Sequence, residues 1–170
     1  AQLAQFSGLE QMQNMNDNMQ QSMNANFVLT SSINNALAAS FVGKNVKSNS
    51  DQFNWQGGSN VRLGYNLASS LSGAKIVVLD ENEHEIRTIR GTGNQGENTV
   101  LWNGKDDSGE IVDEGIYHFE IRNNDGTSIS SATPFTFGKV TGIRYDQNGT
   151  VFLVDGIPVK LADILEVLNG

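Results

Sequence analysis

A chain of 170 residues can form one domain or two small ones, and 38% hydrophobic residues with 18 glycines and 2 prolines describe a globular protein with many turns. A net charge of -8 lacks the basic footprint that neutralising phosphates requires, which argues against nucleic acid as a partner. No stretch approaches the roughly 20 apolar residues of a membrane span, and the absence of cysteine removes disulfides, thiolate nucleophiles and zinc thiolate sites.

The chain opens on Ala1 rather than a methionine, so an upstream segment is expected to have been removed, and any targeting signal would lie in it. Up to Gly43 the only charges are Glu10 and Asp17, among many Gln and Asn residues, and all four methionines fall here. Leu3, Phe6, Leu9, Met12, Met15, Met19, Met23 and Phe27 recur at steps of three or four, which places them on one helical stripe. Ile33, Leu37 and Phe41 form a second run that Thr30, Ser31 and Ser32 could cap, predicting two helices or one interrupted helix. Such a stripe commonly packs on its own domain. An Asn-rich, nearly uncharged polar face has little helix propensity, however, so this segment is expected to need a partner, and methionine suits an adaptable contact surface.

After Gly43 the period becomes that of strands. A short strand is predicted near Val42 to Val46, and Asn60 to Leu67 alternates apolar with polar. Ile76 to Leu79 and Ile86 to Arg90 flank a polar turn as a hairpin, and Thr99 to Trp102 and Gly115 to Arg122 are joined by a loop from Asn103 to Glu114. Short strands with frequent turn signals and no helical period predict a small sandwich from about Ser59 to Thr133. Beyond Pro134, strands are predicted at Phe135 to Phe137, Lys139 to Tyr145, Thr150 to Val154 and Ile157 to Leu161. Type I′ turns are expected at Asn148-Gly149 and Asp155-Gly156. With the strand near Val42 to Val46 these could close a small barrel, making the sandwich an insertion. Leu161, Ile164, Leu165 and Leu168 have helical spacing and could plug one end.

Motifs that suggest chemistry have plainer explanations. Gly91 to Gly96 fits G-x-G-x-x-G, but a strand follows where a dinucleotide site needs a helix N-terminus. The acidic loop Asn103 to Glu110 lacks the order of calcium ligands and puts Lys105 where an oxygen is wanted. His84 and His118, the two histidines, come with neither metal spacing nor a nucleophile motif. Asn148-Gly149-Thr150 is a glycosylation sequon already explained as a turn. No catalytic residue, metal or cofactor is expected, and the protein is read as no enzyme.

Three stretches, in order and spacing, are similar to the flagellar hook-capping family: Ala1 to Met12; Trp102 to Gly109 followed by Gly115-Ile116-Tyr117; and Phe137 to Ile143. The resemblance spans essentially the whole chain. It implies a mainly β fold, with an immunoglobulin or fibronectin III-like sandwich (59–133) inserted in a small Tudor-like, SH3-like barrel (42–58 plus 134–170) after a helical assembly segment (1–41). It further implies a scaffold that caps the distal end of the growing hook, is required for polymerisation of hook subunits and is absent from the finished flagellum. Export through the flagellar type III apparatus, without a cleaved signal peptide, would carry it from the cytoplasm to that site. The partners implied are hook protein subunits, that export apparatus and further copies forming a multimeric cap, and the stripe from Leu3 to Phe27 is the candidate contact. The other reading of the residues is an extracellular binding module, an adhesin or carbohydrate-binding sandwich.

Overall fold

The computed structural model describes residues 2–146 and 149–168, and of residues 2–5, 34 and 146 it describes the backbone alone. They divide into two compact units, 1–40 and 41–170.

No proline interrupts the first unit, and its helix is continuous: α1 spans Gln2–Phe41, where two helices or a broken one were expected. Thr30, Ser31 and Ser32 do not cap a second helix. Hydroxyl side chains lower helix propensity by only tenths of a kcal/mol, too little to break a helix without a Gly or Pro beside them. The stop comes at Gly43, whose φ of 84° belongs to the left-handed region that glycine adopts without penalty. Its N–H donates to Val140 O (2.8 Å), and Lys44 N–H to Phe41 O (2.9 Å). The strand expected near Val42 to Val46 therefore begins later, at Asn45.

The second unit holds eleven strands among the described residues: β1 (Asn45–Ser48), β2 (Gln52–Trp55), β3 (Val61–Leu67), β4 (Ala74–Leu79), β5 (Glu85–Gly91), β6 (Gly96–Trp102), β7 (Gly115–Arg122), β8 (Ala132–Asp146), β9 (Gly149–Val154), β10 (Ile157–Lys160) and β11 (Ile164–Leu168). The fold is mainly β behind an N-terminal helix, as expected. One sheet runs β2-β7-β4-β5; the other runs β10-β9-β8-β1-β11, with β3 pairing both β6 and β8. Alternation decides which side chains enter the core. Leu63, Tyr65 and Leu67 of β3, Phe53 and Trp55 of β2, Ile76 and Val78 of β4, and Tyr117, Phe119 and Ile121 of β7 join Trp102 in a single cluster drawn from both sheets. Trp102 is its hub, with ring centroids 5.2 to 5.4 Å from Tyr117, Trp55 and Phe53.

β8 links this sandwich to the curled part of the larger sheet. Residues 132–136 pair with β3, residues 136–139 with β1 and residues 140–146 with β9. The chain thus leaves the curled sheet after β1, builds β2 to β7 and returns through β8. Phe135 to Phe137 and Lys139 to Tyr145, expected as two strands, are one because Gly138 lets the strand pass close to its neighbours. A Cβ there would lie 2.5 Å from Asp155 Oδ2 and 2.6 Å from Val154 Cγ1.

Two more features differ from expectation. Residues 161–168 are not a helix: a 3-10 turn, Leu161–Asp163, leads into β11, which pairs antiparallel with β1. So short an apolar run cannot meet the cost of helix nucleation, whereas the open edge of β1 supplies backbone partners at once. β2 was not anticipated, although Phe53 and Trp55 alternate with Gln52 and Asn54; four residues give too short a period. The Asp155-Gly156 turn does join β9 to β10, with φ values of 49° and 87° as a type I′ turn needs. The turn and sequon at Asn148 lie outside the described residues.

Candidate functional site

The acidic loop after β6 closes one end of the sandwich and leaves little for a metal. Asp106 Oδ1 accepts from Ser108 Oγ (2.7 Å) and Glu110 N–H (2.9 Å), and these bonds, the Ser108 hydroxyl first, hold its carboxyl below the usual range. Asp107 behaves as a strand partner: its N–H donates to Ile86 O (3.0 Å), and its carboxylate accepts from Thr88 N–H (3.3 Å). Arg87 adds a bond to Asp106 O (2.9 Å). The loop thereby covers the open edge of β5, a common protection against edge-to-edge pairing. Above it, Trp102 Nε1 donates to Lys105 O (2.9 Å), and Tyr117 Oη donates to Asp113 O (2.8 Å). Burial, chiefly, and then the nearby carboxylates push the Tyr117 hydroxyl above its ordinary pKa.

The Gly91 to Gly96 turn is likewise committed inward. A Cβ at Gly91 would lie 2.4 Å from Tyr65 Oη, and one at Gly93 would lie 2.2 Å from Leu71 O. Buried Asn98 gathers the loop, donating to Asn94 O (2.8 Å) and Gly96 O (2.9 Å) while accepting from Thr92 Oγ1 (2.5 Å). These glycines serve packing, and β6 follows them directly.

Both histidines meet carboxylates of the same turn: His84 Nδ1 lies 3.1 Å from Asp80 Oδ2, and His118 Nε2 lies 3.1 Å from Glu83 Oε2. Asp80 also accepts from the N–H groups of Asn82 and His84, and the latter is the main cause of its lowered pKa. No group of three or more metal-binding side chains occurs among the described residues, and none of their helices is long and apolar enough to cross a membrane.

The α1 stripe is an extended run of exposed apolar side chains. Phe6, Leu9, Met12, Met15, Met19, Met23 and Phe27 are each between 59% and 74% exposed; the Leu3 side chain lies outside the described residues. Because the helix is continuous, the second run belongs to the same face. Eighteen residues are about five turns, so Ile33 falls in line with Met15 and Leu37 with Met19, about 27 Å further along. Val28, Leu29, Ile33 and Leu37 are exposed as well.

Sequence reasoning missed a cleft of about 310 Å³ between the sandwich and the curled sheet, whose walls include β2, β3 and β8 and the turn at Asp155. It also missed Lys47, buried on β1, which pairs with Glu97 of β6 and sits 4.2 Å from the Phe135 ring centroid. Neither has a local signal, since the partners are 50 or more residues apart.

At the cleft, burial pushes the Asp155 carboxyl above its ordinary value, outweighing the N–H and charge of Lys139. The ionised form is therefore the costlier one in the folded chain. Its penalty is absent below the usual carboxylate pKa of about 3.9 and complete above the raised one. Asp155→Asn, which also suits a positive φ, is expected to raise Tm by about 1 to 3 °C at pH 7, with the gain vanishing near pH 3.5. Thermal melts across pH check this, and a gain that grows on acidification would contradict it.

Residues 50–127, from the residue that caps β2 to the turn after β7, match the family described as the FlgD Ig-like domain. Over those residues the chain carries a FlgD Ig-like domain. Two solved FlgD structures share its fold. FlgD from P. aeruginosa is 22% identical with a TM-score of 0.65, over 75% of this chain and 98% of that one. FlgD from Xanthomonas campestris, described in terms of hook capping essential for flagellar assembly, is 20% identical with a TM-score of 0.65, over 78% and 98%. No curated protein matches the chain. The FlgD Ig-like match takes in β2, in accord with the pairing of Gln52–Trp55 to β7.

Proposed function

We propose that the chain is a non-enzymatic scaffold that caps the distal end of the growing flagellar hook, supports polymerisation of hook subunits and leaves when the hook is complete. The FlgD Ig-like match over 50–127 supports a role in flagellar hook assembly. The observation that carries the finer reading is the exposed stripe of α1, because a cap works by contact and seven large apolar side chains from Phe6 to Phe27 are offered for it. The stripe from Leu3 to Phe27 is assigned to other copies in a multimeric cap or to hook subunits. The export apparatus of the flagellum is the route from the cytoplasm to the hook tip.

The proposed division is a helical assembly segment (1–41), a Tudor-like barrel (42–58 plus 134–170) and an Ig-like domain (59–133), with β2 transferred to the Ig-like domain by its pairing to β7. Deleting the coding sequence is expected to leave rods without hooks, and restoring it to bring hooks back, as seen by electron microscopy of basal bodies. Hooks of ordinary length on the deletion strain would refute the role.

A further inference from the structure

Arg62 lines the same cleft as Asp155. Arg62, exposed on β3, lays its guanidinium 3.6 Å from the centroid of the Phe137 ring and makes no salt bridge among the described residues, unlike Arg87 and Arg122. A ring against one face fixes the plane of the guanidinium and leaves its edge of N–H donors for a planar acceptor, the geometry that favours a carboxylate held by two bonds.

Beside Arg62 runs the outer edge of β2. Phe119 N–H donates to Asp51 O (3.0 Å), and Phe53 stands opposite Tyr117, so the odd residues of β2 face β7 and the backbones of Gln52 and Asn54 face away. Gln52 is already occupied: its N–H donates to Ser50 Oγ (3.0 Å), and its C=O accepts from the same hydroxyl (3.2 Å). The Asn54 side chain donates to Asp155 O (2.8 Å) across the cleft and so cannot turn back on its own backbone. The open main-chain position of this edge is therefore Asn54, within a cleft that Phe53, Val154 and Ile157 line with apolar surface.

We propose that this cleft docks a short extended peptide segment of a partner protein, with a Glu or Asp side chain gripped by Arg62 and its main chain paired to Asn54. The stacked Arg62 guanidinium, which bonds no carboxylate among the described residues, selects the acidic side chain. The free strand edge selects a peptide over a small anion. A volume of about 310 Å³ is at the lower end for a ligand pocket, so only a few residues enter. The site involves no residue of α1, and its success or failure is independent of the stripe.

The test uses the full chain, labelled with nitrogen-15, and the peptide acetyl-Thr-Val-Glu-Val-Thr-amide, with the Gln-for-Glu peptide as control. The acidic peptide should shift the amide signals of Asn54 and its neighbours and bind at least about tenfold tighter than the control, the scale of a charge-assisted pair. Arg62→Ala should bring the two peptides level, and Arg62→Lys should keep part of the preference because it retains charge without the planar fork. Three results would overturn the proposal: equal binding of the two peptides, no shift at Asn54 at the peptides' solubility limit, or sodium acetate alone matching the peptide in both shifts and affinity.

Discussion

Replacing Gly104 with alanine is expected to cost about 3 to 5 kcal/mol of stability, lowering Tm by roughly 10 °C or more. Two effects add at this position. Its φ of 72° is left-handed, a region that costs a residue with a Cβ about 1 to 2 kcal/mol. The Cβ would also lie 1.9 Å from Trp55 Cζ2, inside the indole ring. Trp55 cannot yield easily, since it is buried and its ring centroid lies 5.3 Å from that of Trp102. Gly109→Ala separates the two effects. It shares the left-handed backbone, with φ of 90°, but meets nothing within 4 Å, so it should cost only about 1 kcal/mol. Urea unfolding followed by tryptophan fluorescence reads both variants in the same core. Equal costs for the two would show that Trp55 does not need the space above it.

That contact shows how far the sequence could be read. The stretch from Trp102 to Gly109 was recognisable as a family pattern, but what it does physically depends on groups outside it. Gly104 answers to Trp55, and Asp107 answers to the edge of β5. The long alternating strands, β3 and β7 above all, were legible because their large apolar residues, such as Leu63, Tyr65 and Leu67 or Tyr117, Phe119 and Ile121, repeat with period two. The Asp155-Gly156 turn was legible because few residue pairs accept two left-handed conformations in succession. β2 offered two periods at most, too few to separate from chance.

The tail failed for the opposite reason. The spacing of Leu161, Ile164, Leu165 and Leu168 satisfies a helix, and only the long-range edge of β1 turns it into a strand. The cleft is the least legible feature, because Asn54 and Asp155 meet across 101 residues and Arg62 and Phe137 come from opposite ends of the inserted sandwich. For the α1 stripe the sequence supplied the residues, but not the continuity that puts Ile33 and Leu37 on the same line.

That continuity raises what a change to the α1 stripe should do. Burying seven side chains from Phe6 to Phe27 that are now mostly in water offers on the order of 10 kcal/mol, before the entropy of association is counted. With only Glu10 and Asp17 charged in the helix, little repulsion opposes contact between copies. Changing Met12, Met15 and Met19 together to aspartate removes about 2 kcal/mol of burial per side chain and requires three carboxylates to lose water in the contact. Association through this face should then fall by more than about a thousandfold.

Two measurements follow. Sedimentation velocity should show a multimer of the unaltered chain reduced to monomer, while the thermal transition of residues 41–170 stays unchanged because no altered residue lies in that unit. Cells carrying the aspartate variant should lack hooks. Changing the same three residues to leucine keeps the surface apolar and should keep both the multimer and the hooks. If the aspartate variant assembles ordinary hooks, the stripe has no part in the cap. If hooks are lost while the multimer persists, the stripe faces the hook subunits rather than its own copies.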